Sequence, residues 1–282
     1  MNITLTNDTL TATINTKGAE LISLKKDSKE FIWEGNPEFW GKHSPILFPI
    51  VGTLKNNSYN YNGKQYHLSR HGFARDNDFI VREVTENKAV FSLSSSKETL
   101  ENYPFDFELR VIYILDNDSL ILRYEVLNKG ESKMPFSIGG HPAFALPNNF
   151  ENYSLRFEND ESIISYSLKE DLLSEETTAF ELAENQLPLA YSLFANDALI
   201  IKKLASDKIK ILENNVPKVE IQLGKFPNLG LWTKDKAPFL CIEPWYGYSD
   251  TIASTRDLFK KEGIIILNEK EAFETSFGIK IF

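Results

Sequence analysis

Three side chains carry groups suited to proton transfer or metal binding, and each interrupts a strand-like pattern. His71 lies in SRHGFARDNDF, Ser69 to Phe79, beside Gly72 and between Arg70 and Arg75. His141 lies in SIGGHPAFALP, Ser137 to Pro147, between a glycine pair and Pro142. Glu243 ends the apolar run Phe239 to Ile242 in APFLCIEPWYG and is followed by Pro244. Each has an ordinary reading. A histidine beside glycines can be a packed or loop residue with a satisfied hydrogen bond, and a glutamate before proline can be a solvated strand end. Arg70 and Arg75 can pair on the surface with Asp76 or Asp78. The combination points elsewhere, because a carboxylate delivered by an apolar strand is costly to bury without partners. The glycine pair and the proline predict a tight turn that leaves the His141 imidazole facing a cavity.

Two imidazoles and a carboxylate suit several chemistries. As metal ligands, His71, His141 and Glu243 would make a three-donor set, but no His-x-His pair is present, and the His67 to His71 stretch contains a strand end that leaves its orientation open. The expectation is therefore no metal. Hydrolysis through Ser137 or Cys241 lacks a Gly-x-Ser-x-Gly elbow, and Cys241 has no clear activating neighbour. Cofactor-free proton transfer fits the residue types more directly. Opening a hexose hemiacetal needs a base at the anomeric hydroxyl and an acid at the ring oxygen, each worth roughly 10²- to 10⁴-fold when well placed. Glu243 is the expected base and His141 the expected acid, with a nearby carboxylate holding the imidazole protonated.

The elements that must position these groups read as strands. Phe105, Phe107, Leu109, Val111, Tyr113 and Leu115 alternate, as do Leu120, Leu122, Tyr124 and Val126 after a turn at Asn117 and Asp118. YNYNGKQYHL predicts a hairpin around Asn62 and Gly63, ITLTNDTLTATI another, and EAFETSFGIKIF a further strand. DSKEFIWEGNPEFWGKHS is irregular. Short helices are predicted in STRDLFKKEG, capped by Ser254 or Thr255 and stopped at Gly263, and near Glu170 to Glu175. With no repeat or linker, the reading is mainly β: one large antiparallel β-sandwich domain over residues 1–282, with a few short helices.

Composition narrows the partners. The 282 residues are 42% hydrophobic and 12% aromatic, enough for a sizeable core. A net charge of -9 with scattered basic residues argues against nucleic acid and anionic lipid. No apolar run suits a membrane helix, and MNITLTNDTL lacks a signal core, so no membrane partner and a cytoplasmic location are expected. Cys241, the single cysteine, allows no intrachain disulfide. A small molecule is the expected partner. Oligomeric state is not legible.

In order along the chain, SRHGFAR, GGHPAF and CIEPWYG resemble the three signature blocks of the aldose 1-epimerase (galactose mutarotase) family. PILFPIVGTLKNNSYNYNGKQYHL resembles the version in mutarotase-like proteins encoded beside bacterial sugar-utilisation genes. The resemblance covers essentially the whole chain and implies a large β supersandwich that binds a hexose without a cofactor. It implies His141 as general acid, Glu243 as general base and His71 as the second histidine, which holds substrate and steadies charge. Arg75 and Arg70 match sugar-contacting positions, and Asp197, in LFANDALI, matches an aspartate that binds sugar hydroxyls. Trp245 is added on physical grounds, since its ring can stack on a sugar's apolar face or simply pack in the core.

One position departs from the family pattern. Many relatives carry arginine after the glycine of FPIVGTLK, where it contacts the sugar or its phosphate; here Thr53 has no charge and cannot make a bidentate contact. Arg75, Arg70 or Lys55 is expected to compensate. Two functions follow: a mutarotase acting on a hexose such as galactose or glucose, or on its 6-phosphate, and a sugar-binding or sensing protein on the same fold.

Overall fold

The computed structural model describes residues 1–159 and 162–282. The long hairpin read from the sequence is its clearest element. Phe107–Asp116 pairs antiparallel with Ser119–Asn128, and Asn117, at φ 51°, turns between Asp116 and Ser119. The alternating positions face inward as cross-strand pairs: Leu109 with Val126, Val111 with Tyr124, Tyr113 with Leu122. Each fully buried apolar side chain of this size contributes about 1.5–3 kcal/mol, which fixes the register because a one-residue slip would expose the whole set.

This hairpin lies within a nine-stranded antiparallel sheet that also holds Ala272–Ile281, Val216–Gln222 and Lys208–Glu213. A second large antiparallel sheet centres on Phe239–Tyr246, flanked by Asn228–Trp232 on one side and by Ile138–Gly140 and Ala143–Ala145 on the other. Inward side chains of both sheets join one buried cluster. Ile138, Leu240 and Ile242 come from one side, and Tyr124, Ile221, Phe277 and Ile279 from the other. The architecture is the expected β sandwich, with a four-stranded sheet formed by the first 30 residues. The hairpins at Asn62–Gly63 and at the start of the chain form as read.

Two helix predictions fail, and one short helix escaped notice. The Glu170 to Glu175 stretch is a hairpin turn, with Glu170 and Asp171 at φ 51° and 64°, leading into the strand Leu172–Phe180. Ladder bonds to Ile163–Lys169 outweigh the helical preference of its glutamates. In STRDLFKKEG only a 3₁₀ turn forms, Leu258–Lys260, capped by Asp257. Arg256 at φ 63° breaks any longer helix, and Ser254 Oγ bonds Asp250 instead of capping. The α-helix Lys97–Asn102 is closed by reciprocal bonds between Ser96 and Thr99, a capping box with threonine in place of the usual glutamate. Among the described residues no helix is long and apolar enough to cross a membrane.

Candidate functional site

The central strand Phe239–Tyr246 builds the floor of the site. Successive side chains alternate between its faces, so Leu240 and Ile242 enter the sandwich core while Cys241, Glu243 and Trp245 share the opposite face. Glycines on both neighbouring strands make room for the Trp245 indole. A Cβ on Gly139 would lie 2.5 Å from Trp245 Cδ1, and one on Gly230 would lie 2.5 Å from its Cη2.

His141 arrives from the adjacent edge. Ile138–Gly140 and Ala143–Ala145 both pair with the central strand, and His141 with Pro142 forms the break between them. The His141 N–H donates to the Pro45 carbonyl at 3.0 Å. The glycine pair therefore does not form the tight turn expected from the sequence, and neither glycine has a positive φ. Both are required by close approach instead: a Cβ on Gly140 would meet the Phe277 ring at 2.9 Å, as one on Gly139 would meet Trp245.

His71 comes from a loop that crosses behind. It adopts φ 68°, and Gly72 follows at φ 70° because a Cβ there would lie 2.3 Å from the Phe48 carbonyl oxygen. Gly52 N–H donates to His71 Nδ1 at 3.1 Å, and Arg70 Nε–H is directed at His71 Nε2 at 3.3 Å, so N–H donors face both ring nitrogens. Burial, reinforced by His141, Arg70 and Arg75, pushes His71 well below the usual imidazole range. Burial thus favours an uncharged His71 ring, braced between Gly52 and Arg70.

These elements enclose a cavity of about 500 Å³ in which every residue selected from the sequence has a place: His141, Glu243, His71, Arg70, Arg75, Asp197 and Trp245. His141 Nε2 stands 3.2 Å from Glu243 Oε2, with the two residues only 8% and 1% exposed. Arg70 Nη1 reaches Asp171 at 3.0 Å and Asp197 at 3.9 Å, while Arg75 Nη2 donates to the Arg70 carbonyl at 2.7 Å. Asp197, at φ 83°, accepts from the Ala198 N–H.

Three lining residues escaped the sequence reading: Trp40, Trp232 and Ala198, which adjoins Asp197. Trp40 stacks on the His141 ring, with centroids 4.9 Å apart and planes at 27°. Trp232 meets the same ring edge-on at 6.0 Å. The available signal was aromatic density in a patternless segment: Trp33 and Trp40 both fall in the stretch read as irregular, and Trp33 Nε1 donates to the Trp40 carbonyl at 2.8 Å. Of the other histidines, His43 lies 3.9 Å from Glu20 and His67 beside Gln65, and neither lines the cavity.

Electrostatics change one expectation. Burial, aided by the Arg70 and Arg75 guanidiniums, pushes His141 down to about 3, while burial pushes Glu243 well above the usual carboxylate range against the pull of Arg70. Both shifts favour a neutral imidazole beside a protonated carboxyl. The expected carboxylate-stabilised imidazolium is absent because desolvation outweighs pairing here.

The Thr53 question also resolves geometrically. Thr53 is buried, its N–H donates to Ser249 Oγ at 3.0 Å, and it does not line the cavity. Lys55 does not compensate, since its Nζ is held by the Ile252 carbonyl at 2.7 Å. Among the described residues, the cationic groups facing the cavity are Arg70 and Arg75. The three-donor set drawn from sequence, His71 with His141 and Glu243, is not the compact one. Among the described residues, His141, Cys241 and Glu243 offer donor atoms that all lie within 4.8 Å of one another.

Comparison with known proteins identifies the family. Residues 1–257 match the sequence model described as aldose 1-epimerase. The chain is 37% identical to the plasmid-encoded protein LacX of Lactococcus lactis subsp. lactis, over 100% of this chain and 99% of that one. A galactose mutarotase related enzyme from Lactobacillus acidophilus superposes with a TM-score of 0.95 at 35% identity, covering 100% of this chain and 97% of that chain. A galactose mutarotase-like protein from Lactobacillus casei ATCC 334 gives 0.93 at 29%, with 100% of both chains covered. The chain belongs to the aldose 1-epimerase family, whose enzymes act on carbohydrates.

Proposed function

We propose that this protein interconverts the α and β anomers of a hexose such as galactose or glucose by acid/base ring opening. The observation that carries this reading is the 3.2 Å contact between His141 Nε2 and Glu243 Oε2 on the floor of a tryptophan-lined cavity. The anomeric hydroxyl and the ring oxygen are bonded to one carbon, so an acid and a base that serve them together must stand side by side. A buried imidazole beside a buried carboxyl meets that requirement.

The sequence of events follows from the charges. An anomeric hydroxyl donating to Glu243 favours its carboxylate and moves the carboxyl proton to His141 Nε2. Glu243 then removes the hydroxyl proton while His141 protonates the ring oxygen, and the C1–O bond breaks to give the open aldehyde. Rotation about C1–C2 presents the other carbonyl face, and the two transfers reverse on closure. Neutral His71, held between Gly52 and Arg70, faces the sugar, Arg70, Arg75 and Asp197 hold hydroxyls, and Trp245 offers an apolar wall.

Polarimetry on freshly dissolved single anomers of glucose, galactose and their 6-phosphates tests the reading. Acceleration of anomer exchange on a free hexose is the expected result. Acceleration confined to the 6-phosphates would replace the substrate. Saturable sugar binding with exchange at the uncatalysed rate would make the protein a sugar binder or sensor and overturn the enzymatic reading.

A further inference from the structure

We propose that His141, Cys241 and Glu243 form a latent site for a soft divalent cation, with Zn²⁺ the best fit, and that filling it shuts off the acid/base pair. The inhibitory half rests on the proposed function; the binding half does not.

The donors converge for reasons of strand geometry. Cys241 and Glu243 are two residues apart on one face of Phe239–Tyr246, and Cys241 pairs across the ladder with Ala143, two residues beyond His141. All three donor atoms lie within 4.8 Å of one another. Zinc bonds nitrogen and carboxylate oxygen at about 2.0–2.2 Å, so a tetrahedral ion spans neighbouring N and O ligands by roughly 3.3–3.5 Å. The His141–Glu243 separation of 3.2 Å is already close to that edge. Cys241 needs only a modest approach.

The donors are also uncommitted. Glu243 Oε2 is buried without a hydrogen-bond partner, and Cys241 is a free, fully buried thiol. One thiolate, one carboxylate and a neutral imidazole balance a dication, which a low-dielectric site tolerates far better than an isolated charge. Binding expels two protons, one from the thiol and one from the pair. The mixed sulfur, nitrogen and oxygen set favours Zn²⁺, or Co²⁺ as its spectroscopic substitute, over Mg²⁺ or Ca²⁺. His141 and Glu243 line the cavity, which supplies an entry path and room for a fourth ligand.

The test titrates Co²⁺ and Zn²⁺ into metal-free wild type and Cys241→Ala. Wild type should show a sulfur-to-cobalt charge-transfer band at one equivalent that Zn²⁺ abolishes, and Zn²⁺ should stop anomer exchange until a chelator is added. Cys241→Ala should keep its exchange rate, lose the band and bind Zn²⁺ about 100-fold more weakly, since even partners behind a ligand are worth 10- to 100-fold. Should the variant not fold, X-ray absorption of Zn²⁺-loaded wild type decides: a sulfur at about 2.3 Å supports the site and a shell of only nitrogen and oxygen overturns it. No band, or a band unchanged in Cys241→Ala, also overturns it. A band in a protein that does not accelerate exchange would sustain the metal site while refuting the proposed enzymatic function.

Discussion

His141 Nε2 and Glu243 Oε2 face each other at 3.2 Å inside the protein, and Glu243 Oε2 has no hydrogen-bond partner to share it with. Two buried titratable groups at this distance titrate as a coupled unit.

That unit sets the pH profile. His141, held down to about 3, adds a second proton to the pair only below that pH, and Glu243, raised by burial, gives up the pair's proton only as pH climbs through its elevated value. kcat/KM measured in chelator-treated protein should lack the step near 6.5 that an ordinary imidazole gives and should fall only as Glu243 loses its proton on the alkaline side. A rise centred near 6.5 would show that His141 titrates as a free histidine.

Trp245 depends on its glycine neighbours. Gly230→Ala places a methyl 2.5 Å from the indole, and overpacking of this kind costs about 1–3 kcal/mol. Urea denaturation should show that loss together with a raised KM for sugar, and Trp245→Phe added to Gly230→Ala should recover part of the stability. A wild-type midpoint in the single variant would mean that the indole has room to move.

A second buried pair braces the loop behind Thr53. Lys261 Nζ lies 3.2 Å from Asp250 Oδ1, and Asp250 Oδ2 accepts from the Lys55 N–H at 2.9 Å and from Ser254 Oγ at 3.0 Å. Asp250→Ala strands a buried ammonium and should destabilise by about 3–5 kcal/mol, whereas Asp250→Ala with Lys261→Met should lose less. Equal losses in the two variants would show that the stranded charge is not the cause.

Trp40 positions the imidazole that it stacks on, at a centroid distance of 4.9 Å. Trp40→Ala should lower kcat more than it raises KM, with Trp40→Phe restoring most of the rate. A change confined to KM would instead make Trp40 a sugar-contacting wall.

The strands were legible because period-two burial is written directly in residues such as Leu109, Val111 and Tyr113, and the Asn62–Gly63 turn announces itself through glycine. Selected on glycine and proline punctuation and on a family resemblance, the site residues prove to share one cavity. What did not show was whatever depends on packing between distant segments. Gly139 and Gly140 looked like turn residues because a sequence cannot display Trp245 and Phe277 pressing against them. Trp40 was hidden in a patternless segment, and the charge state of His141 follows from burial that no local motif encodes. The Glu170 to Glu175 stretch, which turns into the strand Leu172–Phe180, read as helical because its glutamates carry no alternating pattern.

Polarimetry on one anomer of the preferred hexose, comparing wild type with Glu243→Gln, His141→Asn and the double variant, tests the coupled unit most directly. Each single variant should lose roughly 10²- to 10⁴-fold in kcat while still binding sugar, and the double variant should lose little more than either. Single variants that keep the wild-type rate, or losses that multiply in the double variant, would contradict it.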